Sequence, residues 1–272
     1  MKKDRISVIT NILTENPNKM FKYSYFANLF NCAKSTISED MEIIRDVFAQ
    51  YNLGSIETIS GVAGGVYYNP YMTESQIREL ADKLIELLNT ADRILPGGYI
   101  YMNDLLYNPD ITRDIGKAIA SSFQNIDIDY VITIETKGIP IALMTARALN
   151  KPLVVVRNQT KLTDGTAIHL NYITGSNKRI RTMCLSTKAI KKGSKVLFVD
   201  DFMKAGGTAR GIRELVNEFE SELVGTGVLM ATKQPQKKIM GDFKTLLWLD
   251  TVDEGKKMVV IYNGLVKKVI NR

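Results

Sequence analysis

Histidine and cysteine are almost missing from this chain of 272 residues, which has one histidine and two cysteines. Cys32 and Cys184 are far apart in the sequence, and His169 has no cluster of cysteines or carboxylates near it. Zinc sites and catalytic triads combine several such side chains, so neither is expected. Two distant cysteines also argue against a disulfide framework, and we expect no resident metal or cofactor.

Long apolar runs are missing as well. No stretch is long enough to span a membrane, and the first ten residues, MKKDRISVIT, carry charged and polar side chains too early for a secretory signal. We therefore expect a cytoplasmic protein without a membrane partner. The composition, 45% hydrophobic and 24% charged, allows a sizeable core in one large or two smaller domains.

The formal net charge of +7 is unevenly distributed along the chain. Residues 1–72 hold seven basic and seven acidic side chains, so the whole excess lies in residues 73–272. The stretch from Lys178 to Lys195 has seven basic residues and no acid. Such a run is often a solvated face, and it also suits contact with polyanions.

Residues 195–209, KVLFVDDFMKAGGTA, form the pattern with the clearest chemistry. Val196 to Val199 predict a short strand inside a parallel sheet, with Asp200 and Asp201 at its carboxyl end and a helix from near Arg210. The alternative is an ordinary strand-turn-helix corner whose acids cap the helix.

Three small residues, Gly206, Gly207 and Thr208, connect that strand to that helix. Glycines let backbone N–H groups approach an anion, and the helix adds the positive end of its dipole. Two carboxylates beside such a loop can hold two ribose hydroxyls, directly or through Mg²⁺, while the loop binds the phosphate of the sugar.

A second candidate anion loop, Glu135-Thr136-Lys137-Gly138, follows a predicted strand over Asp129–Glu135. Backbone amides and Lys137 at a strand end form an anion pocket. Two such pockets at neighbouring strands suit a ligand that is phosphorylated at both ends.

Both loops resemble those of known enzymes. Residues 195–209 resemble the phosphoribosyl pyrophosphate (PRPP) loop of type I phosphoribosyltransferases, although Lys204 and Ala205 stand where that family usually has hydroxyl residues. The ETKG loop is similar to the pyrophosphate loop of adenine and xanthine phosphoribosyltransferases, and residues 157–186 resemble the flexible hairpin that folds over PRPP. The resemblance implies these PRPP-binding residues: Thr136, Lys137, Gly138, Arg157, Lys161, Asp200, Asp201, Phe202, Met203, Lys204, Ala205, Gly206, Gly207 and Thr208.

Tyr99 and Tyr101 follow a Gly-Gly turn. Either ring can stack on a ligand, and the alternative is that both are core aromatics.

The first 72 residues predict three helices and a hairpin, which together make a winged helix. The third helix has Ile37, Met41, Ile44 and Phe48 facing inward, and Ser35 or Thr36 is expected to cap it, with Glu39 completing a capping box for Thr36. The hairpin, GSIETISGVAGGVYYNP, has a Gly-rich tip at residues 61–65. The candidate DNA-binding residues are Lys34, Ser35, Thr36, Ser38, Gly64 and Gly65.

A winged helix usually lays its third helix in the DNA major groove. This one is electrically neutral, so a protein-binding winged helix is the alternative, and DNA binding would need a dimer or the basic face of the larger domain.

Pro70 to Met72 is a brief hinge, which predicts domains over residues 1–72 and 73–272. Alternating strands and helices in the second domain predict a mostly parallel sheet with its ligand at the carboxyl ends of the strands. The predicted fold class is therefore α/β, with a winged helix-turn-helix domain followed by a type I phosphoribosyltransferase-like domain.

The whole chain resembles the purine operon repressors of Gram-positive bacteria, through AKSTISED, GVAGGVYY and VDDFMKAGGTA. The resemblance implies a homodimer that represses purine biosynthesis genes by binding operator DNA and is relieved by PRPP in a non-catalytic pocket. The alternative is an active phosphoribosyltransferase with an appended DNA-binding domain. Nucleotides with two phosphorylated ends, such as guanosine tetraphosphate, are hypothetical competitors for the pocket.

Overall fold

The computed structural model describes residues 2–61, 64–160, 165–173 and 180–264. The chain divides into two compact units, residues 1–73 with 147–150 and residues 74–146 with 151–272. Its α-helices are α1 Lys2–Glu15, α2 Tyr23–Phe30, α3 Lys34–Gln50, α4 Glu74–Leu88, α5 Asn103–Leu106, α6 Pro109–Ser122, α7 Ile139–Leu149 and α8 Gly207–Glu218. Its strands are β1 Ser55–Ile59, β2 Gly65–Asn69, β3 Ile94–Leu95, β4 Tyr99–Ile100, β5 Tyr130–Ile134, β6 Leu153–Val156, β7 Ala167–Ile173, β8 Ile180–Ser186, β9 Lys195–Met203, β10 Glu222–Thr232, β11 Lys244–Asp253 and β12 Met258–Asn263.

The first unit has the predicted winged-helix elements in the predicted order, α1 to α3 followed by the β1–β2 hairpin. The hairpin is antiparallel, with Ser55 opposite Asn69. All four residues predicted to face inward from α3 are buried, because their spacing puts them on one side of the helix. They join a core with residues of α1, α2 and the hairpin, among them Ile9, Leu13, Phe26 and Val66.

The predicted cap of the third helix is wrong. The helix starts at Lys34 with Ala33 as its N-cap, and Ala33 has no side-chain group that can accept a hydrogen bond. Thr36 therefore lies inside the first turn. The connection from α2 is a tight turn, in which Asn31 adopts a left-handed conformation and the N–H of Cys32 bonds back to the carbonyl of Ala27 at 3.0 Å.

The inner face of α3 also carries a charge that sequence periodicity did not reveal. Asp40 has 0% of its side chain exposed, and the guanidinium of Arg5 on α1 donates to both of its carboxylate oxygens. The contact from Nη2 to Oδ1 is 3.1 Å. A buried carboxylate needs such a partner, so this ion pair fixes α1 against α3.

The sequence predicted that Gly65 lies at the tip of the wing, and this prediction is wrong. Gly65 starts β2 and is buried, and a Cβ there would lie 2.3 Å from the carbonyl oxygen of Phe21. Phe21 and Val66 exchange two backbone hydrogen bonds of 2.8 Å, so this glycine allows a close backbone approach. Gly64 precedes the strand and is partly exposed. Residues 62 and 63, also in the predicted tip, lie outside the described residues.

The second unit is built on a six-stranded sheet in the order β12-β11-β10-β9-β5-β6. All neighbouring strands run parallel except β12, which is antiparallel to β11, so the predicted mostly parallel sheet is confirmed. Strands β7 and β8 form a separate antiparallel hairpin. Within the described ranges, none of the helices is long and apolar enough to cross a membrane.

Candidate anion-binding site

The two predicted anion loops lie side by side at the carboxyl edge of the sheet. Strand β9 pairs directly with β5, with Ile132 opposite Phe198, so both strands deliver their loops to the same edge. Gly138 touches the first acid: a Cβ there would lie 2.6 Å from Oδ1 of Asp200 and 2.7 Å from Oγ1 of Thr133. Two segments about sixty residues apart in sequence therefore meet in one site.

The boundaries around the acids differ from those predicted. Strand β9 continues through Asp200 and Asp201 to Met203, and α8 starts at Gly207 instead of near Arg210. Pairing with β10 explains the longer strand, because Asp200 lies opposite Val228 and Met203 opposite Ala231.

Gly206 is the N-cap of α8 and has a φ of +84°, a conformation that favours glycine. A Cβ there would also lie 3.0 Å from the backbone nitrogen of Met240. The turn into α8 therefore requires glycine for both its conformation and its packing.

The two acids have different surroundings. Asp200 is buried and accepts a 2.9 Å hydrogen bond from the N–H of Asp201, which is itself only partly buried. Burial raises the pKa of the Asp200 carboxyl well above its usual range, and the charge of Asp201 raises it further. A cation or hydroxyl donor next to Asp200 would favour its ionised form. No group of three or more metal-ligating side chains occurs among the residues that the structure describes.

The other loop candidates divide into exposed and buried side chains. Thr136, Lys137 and Lys204 are exposed, so their side chains are open to an incoming anion. The side chains of Met203 and Ala205 are buried, so they can offer a ligand only their backbone. Phe202 and Thr208 are intermediate, and Gly138, Gly206 and Gly207 are buried.

Tyr99 and Tyr101 are not core aromatics, since 65% and 42% of their surfaces are exposed. They lie in and just after the β3–β4 hairpin, where the N–H of Gly98 donates to Oε1 of Glu254 at 2.6 Å. Glu254 directly follows β11, so the hairpin contacts the same edge of the sheet that carries the two loops.

The hairpin expected to fold over the ligand is present as β7 and β8. Arg157 is tied to it by two backbone hydrogen bonds with Cys184, of 3.1 and 2.8 Å. The N–H of Asn158 also donates to Oε1 of Glu135, in the Glu135–Gly138 loop, at 2.8 Å. Lys161 lies outside the described residues, as do Lys178 and Arg179.

Sequence reasoning missed a third segment at the site, Lys233–Met240. This segment follows β10 and packs on the loop between β9 and α8, here called the PRPP-like loop because it resembles the PRPP-binding loop of the enzymes. The N–H of Ile239 donates to the carbonyl of Ala205 at 2.8 Å, and Lys238 donates to the carbonyl of Lys204. The available signal was its three lysines, in the sequence KQPQKK.

Gly138→Ala is expected to disrupt the site by forcing the Glu135–Gly138 loop away from Asp200. Its Cβ would meet two buried side chains at under 3 Å, and overpacking of this kind costs about 1–3 kcal/mol. Thermal unfolding followed by the fluorescence of Trp248 measures the loss. Gly241→Ala is the control, because a Cβ there meets nothing within 4 Å, and equal melting temperatures for the two variants would contradict the packing at Gly138.

A winged helix and a type I phosphoribosyltransferase fold in one chain define the class of this protein. Residues 1–70 match the family described as bacterial purine repressor, N-terminal, and residues 102–257 match the phosphoribosyl transferase domain. In solved structures, an adenine phosphoribosyltransferase from Rhodothermus marinus is similar at 25% identity and a TM-score of 0.54, covering 63% of this chain and 99% of that one.

Two relatives are similar over nearly the whole chain. The purine biosynthesis transcriptional repressor PurR of Bacillus subtilis is 40% identical over 96% of this chain and 91% of its own length. The purine biosynthesis transcriptional activator PurR of Lactococcus lactis is 39% identical over 96% of each. The chain belongs to this family of bacterial purine biosynthesis regulators.

Proposed function

We propose that this protein represses purine biosynthesis genes by binding operator DNA as a homodimer, and that PRPP bound between the two loops releases it. The contact of Gly138 with Asp200 carries the ligand half of the proposal, because it joins two anion loops and a pair of carboxylates. PRPP has phosphate groups at both ends of a ribose, which matches this arrangement.

The DNA half rests on the first turn of α3. Lys34, Ser35 and Ser38 are exposed there and Thr36 is partly exposed, so all four can reach phosphates or base edges. One lysine gives little electrostatic affinity, and residues 1–72 carry no net charge. A homodimer would double these contacts, and the basic second domain can add others.

A regulatory pocket is favoured over an enzyme active site. The relatives that span the chain are named as transcriptional regulators, and Ala205 replaces a hydroxyl residue of the enzyme pattern. The phosphoribosyltransferase fold itself supports the alternative, an active transferase that carries a DNA-binding domain.

Gel-shift titration of DNA from upstream of purine biosynthesis genes, with and without PRPP and Mg²⁺, tests the proposal. We expect a shifted complex that PRPP dissociates. Pyrophosphate release from PRPP with each purine and pyrimidine base is measured in parallel, and none is expected. A complex that PRPP leaves intact would refute the effector role, while turnover with any base would establish the enzyme.

The Lactococcus relative makes activation a second candidate function. Transcript levels of purine genes in a deletion strain separate the two signs of regulation. Higher levels without the protein indicate a repressor, and lower levels indicate an activator.

We expect PRPP and operator DNA to weaken each other's binding by the same factor. Thermodynamic linkage requires this equality whenever one ligand changes the affinity for the other. Calorimetric titration of PRPP into the free protein and into the protein saturated with operator duplex measures the first factor, and gel-shift titration of the duplex with and without PRPP measures the second. Identical PRPP affinities would mean that the two sites are uncoupled, and guanosine tetraphosphate can be tested as a competitor in the same titration.

A further inference from the structure

The ammonium group of Lys238 is surrounded by oxygen atoms behind the PRPP-like loop. It donates to the carbonyl of Lys204, to Oγ1 of Thr232 at 3.0 Å and to the carbonyl of Gln234 at 3.3 Å. Lys238 is partly buried, whereas the neighbouring Lys237 is exposed. Only one of these adjacent lysines is therefore built into the site.

The same segment holds the next residue of the loop. The N–H of Ile239 donates to the carbonyl of Ala205 at 2.8 Å, so two consecutive carbonyls, of Lys204 and Ala205, point towards Lys238–Met240. In a planar trans peptide the C=O and the following N–H point in opposite directions. The N–H groups of Ala205 and Gly206 are thereby directed away from the segment. Within the described ranges no acceptor is bonded to either one.

Backbone N–H groups without an acceptor, in a loop at a helix N-terminus, are what binds a phosphate. From this geometry we propose that Lys238 is a positioning residue of the anion site, which orients the N–H groups of Ala205 and Gly206 and adds its own positive charge behind them. The inference rests on the proposed binding of PRPP in this pocket.

The surroundings of Lys238 make this contribution sensitive to pH. Burial lowers the pKa of Lys238 to about 8, and the charge of Lys204 contributes. Of the other charged groups nearby, Lys233 is paired with Asp250 at 2.7 Å, and Lys237 and Asp242 are exposed. An anion bound beside Lys204 would favour the charged form and raise the pKa of Lys238. Binding above about pH 8 is therefore expected to take up a proton, and affinity should fall as the pH rises through that range.

Calorimetry with PRPP and Mg²⁺ tests this on the full chain in three variants. Lys238→Met is expected to weaken binding about tenfold or more, as for the loss of a charged hydrogen-bond donor. Lys237→Met, its exposed neighbour, should remain within about twofold of the unchanged protein. Lys238→Arg keeps the charge at all these pH values, and should retain binding while losing the proton uptake measured in buffers of different ionisation enthalpy.

Hydrogen exchange of the ligand-free protein tests the positioning role without any ligand. Peptides that contain Ile239, whose N–H donates to the carbonyl of Ala205, should exchange faster in Lys238→Met than in Lys237→Met. The melting temperature of each variant is recorded as a check on folding. Equal PRPP affinity and equal exchange in these two variants would overturn the inference. If PRPP gives no heat with the unchanged protein, the proposed function fails, and inorganic phosphate then serves as the probe for Lys238.

Discussion

Replacing Asp200 with asparagine should raise the PRPP concentration needed to release operator DNA about tenfold, while making the ligand-free protein more stable at neutral pH. The buried carboxyl is held next to Asp201, and both burial and that neighbouring charge raise its pKa. Its folded pKa lies above its unfolded value, so the stability of the wild type falls as the pH rises from about 4 to the folded pKa. The neutral amide removes this loss, and its oxygen can still accept the N–H of Asp201.

Loss of the Asp200 charge, which stabilises the ligand-free protein, is expected to weaken the binding of PRPP. A ribose diol, or a Mg²⁺ ion bound to it, interacts more strongly with a carboxylate than with an amide, so we expect PRPP affinity to fall about tenfold for Asp200→Asn. Asp201→Asn should act in the same direction, and the double substitution should cost about a hundredfold. Asp242→Asn, at an exposed acid, is the control. Release of DNA at the wild-type PRPP concentration by either site variant would disprove the role of the acids.

The second large effect is expected at the ion pair inside the winged helix. Asp40→Ala leaves the guanidinium of Arg5 without its carboxylate, and Arg5→Ala leaves a fully buried carboxylate without its cation. Breaking a buried pair from one side is among the most destabilising single changes. We expect the amide protection of α1 and α3 against hydrogen exchange to fall about a hundredfold in either variant. DNA binding should weaken as well, because α3 carries the candidate contacts.

Hydrogen exchange is the suitable measurement because it reports on α1 and α3 directly. The single tryptophan, Trp248, lies in the second unit, and its unfolding transition should be unchanged. Asp46→Ala, at an exposed acid of the same helix, is the matched control and should keep wild-type protection. If Asp40→Ala and Asp46→Ala exchange alike, the pair does not hold the two helices together.

Local patterns predicted most of the architecture. The inward positions of α3, the two strands of the wing and β5 over Tyr130–Ile134 all follow from patterns within a few residues of the element itself. Features that depend on distant partners were not predicted. Acids are poor strand formers, yet β9 extends through Asp200 and Asp201 because β10 pairs along them. In the same way, nothing near Asp40 in the sequence indicates that Arg5 makes its burial tolerable.

In the candidate site, too, local features were predicted and contacts between distant segments were not. Glycines and acids identified each anion loop separately, and the order of the strands in the sheet was needed to bring Gly138 against Asp200. The support from Lys238 and Ile239 could not be predicted, because the crossing from β10 to β11 has no helix or strand whose periodicity would show which face it packs with.

The spacing of these contacts along the chain also sets the order in which the protein matures on the ribosome. The core of the winged helix uses only residues between 6 and 68, so this core can form early in synthesis, before residues 147–150 of the same unit. Strand β5, at residues 130–134, cannot pair with β9 until residues 195–203 have been synthesised. The turn at Gly206 gains its packing only when Met240 has been synthesised. Because N-terminal domains fold first during translation, we expect nascent chains to pass through a stage with a folded winged helix and an unformed anion-binding site. A product that ends prematurely between residues 73 and 203 would keep that state permanently, as a winged helix without the anion-binding site.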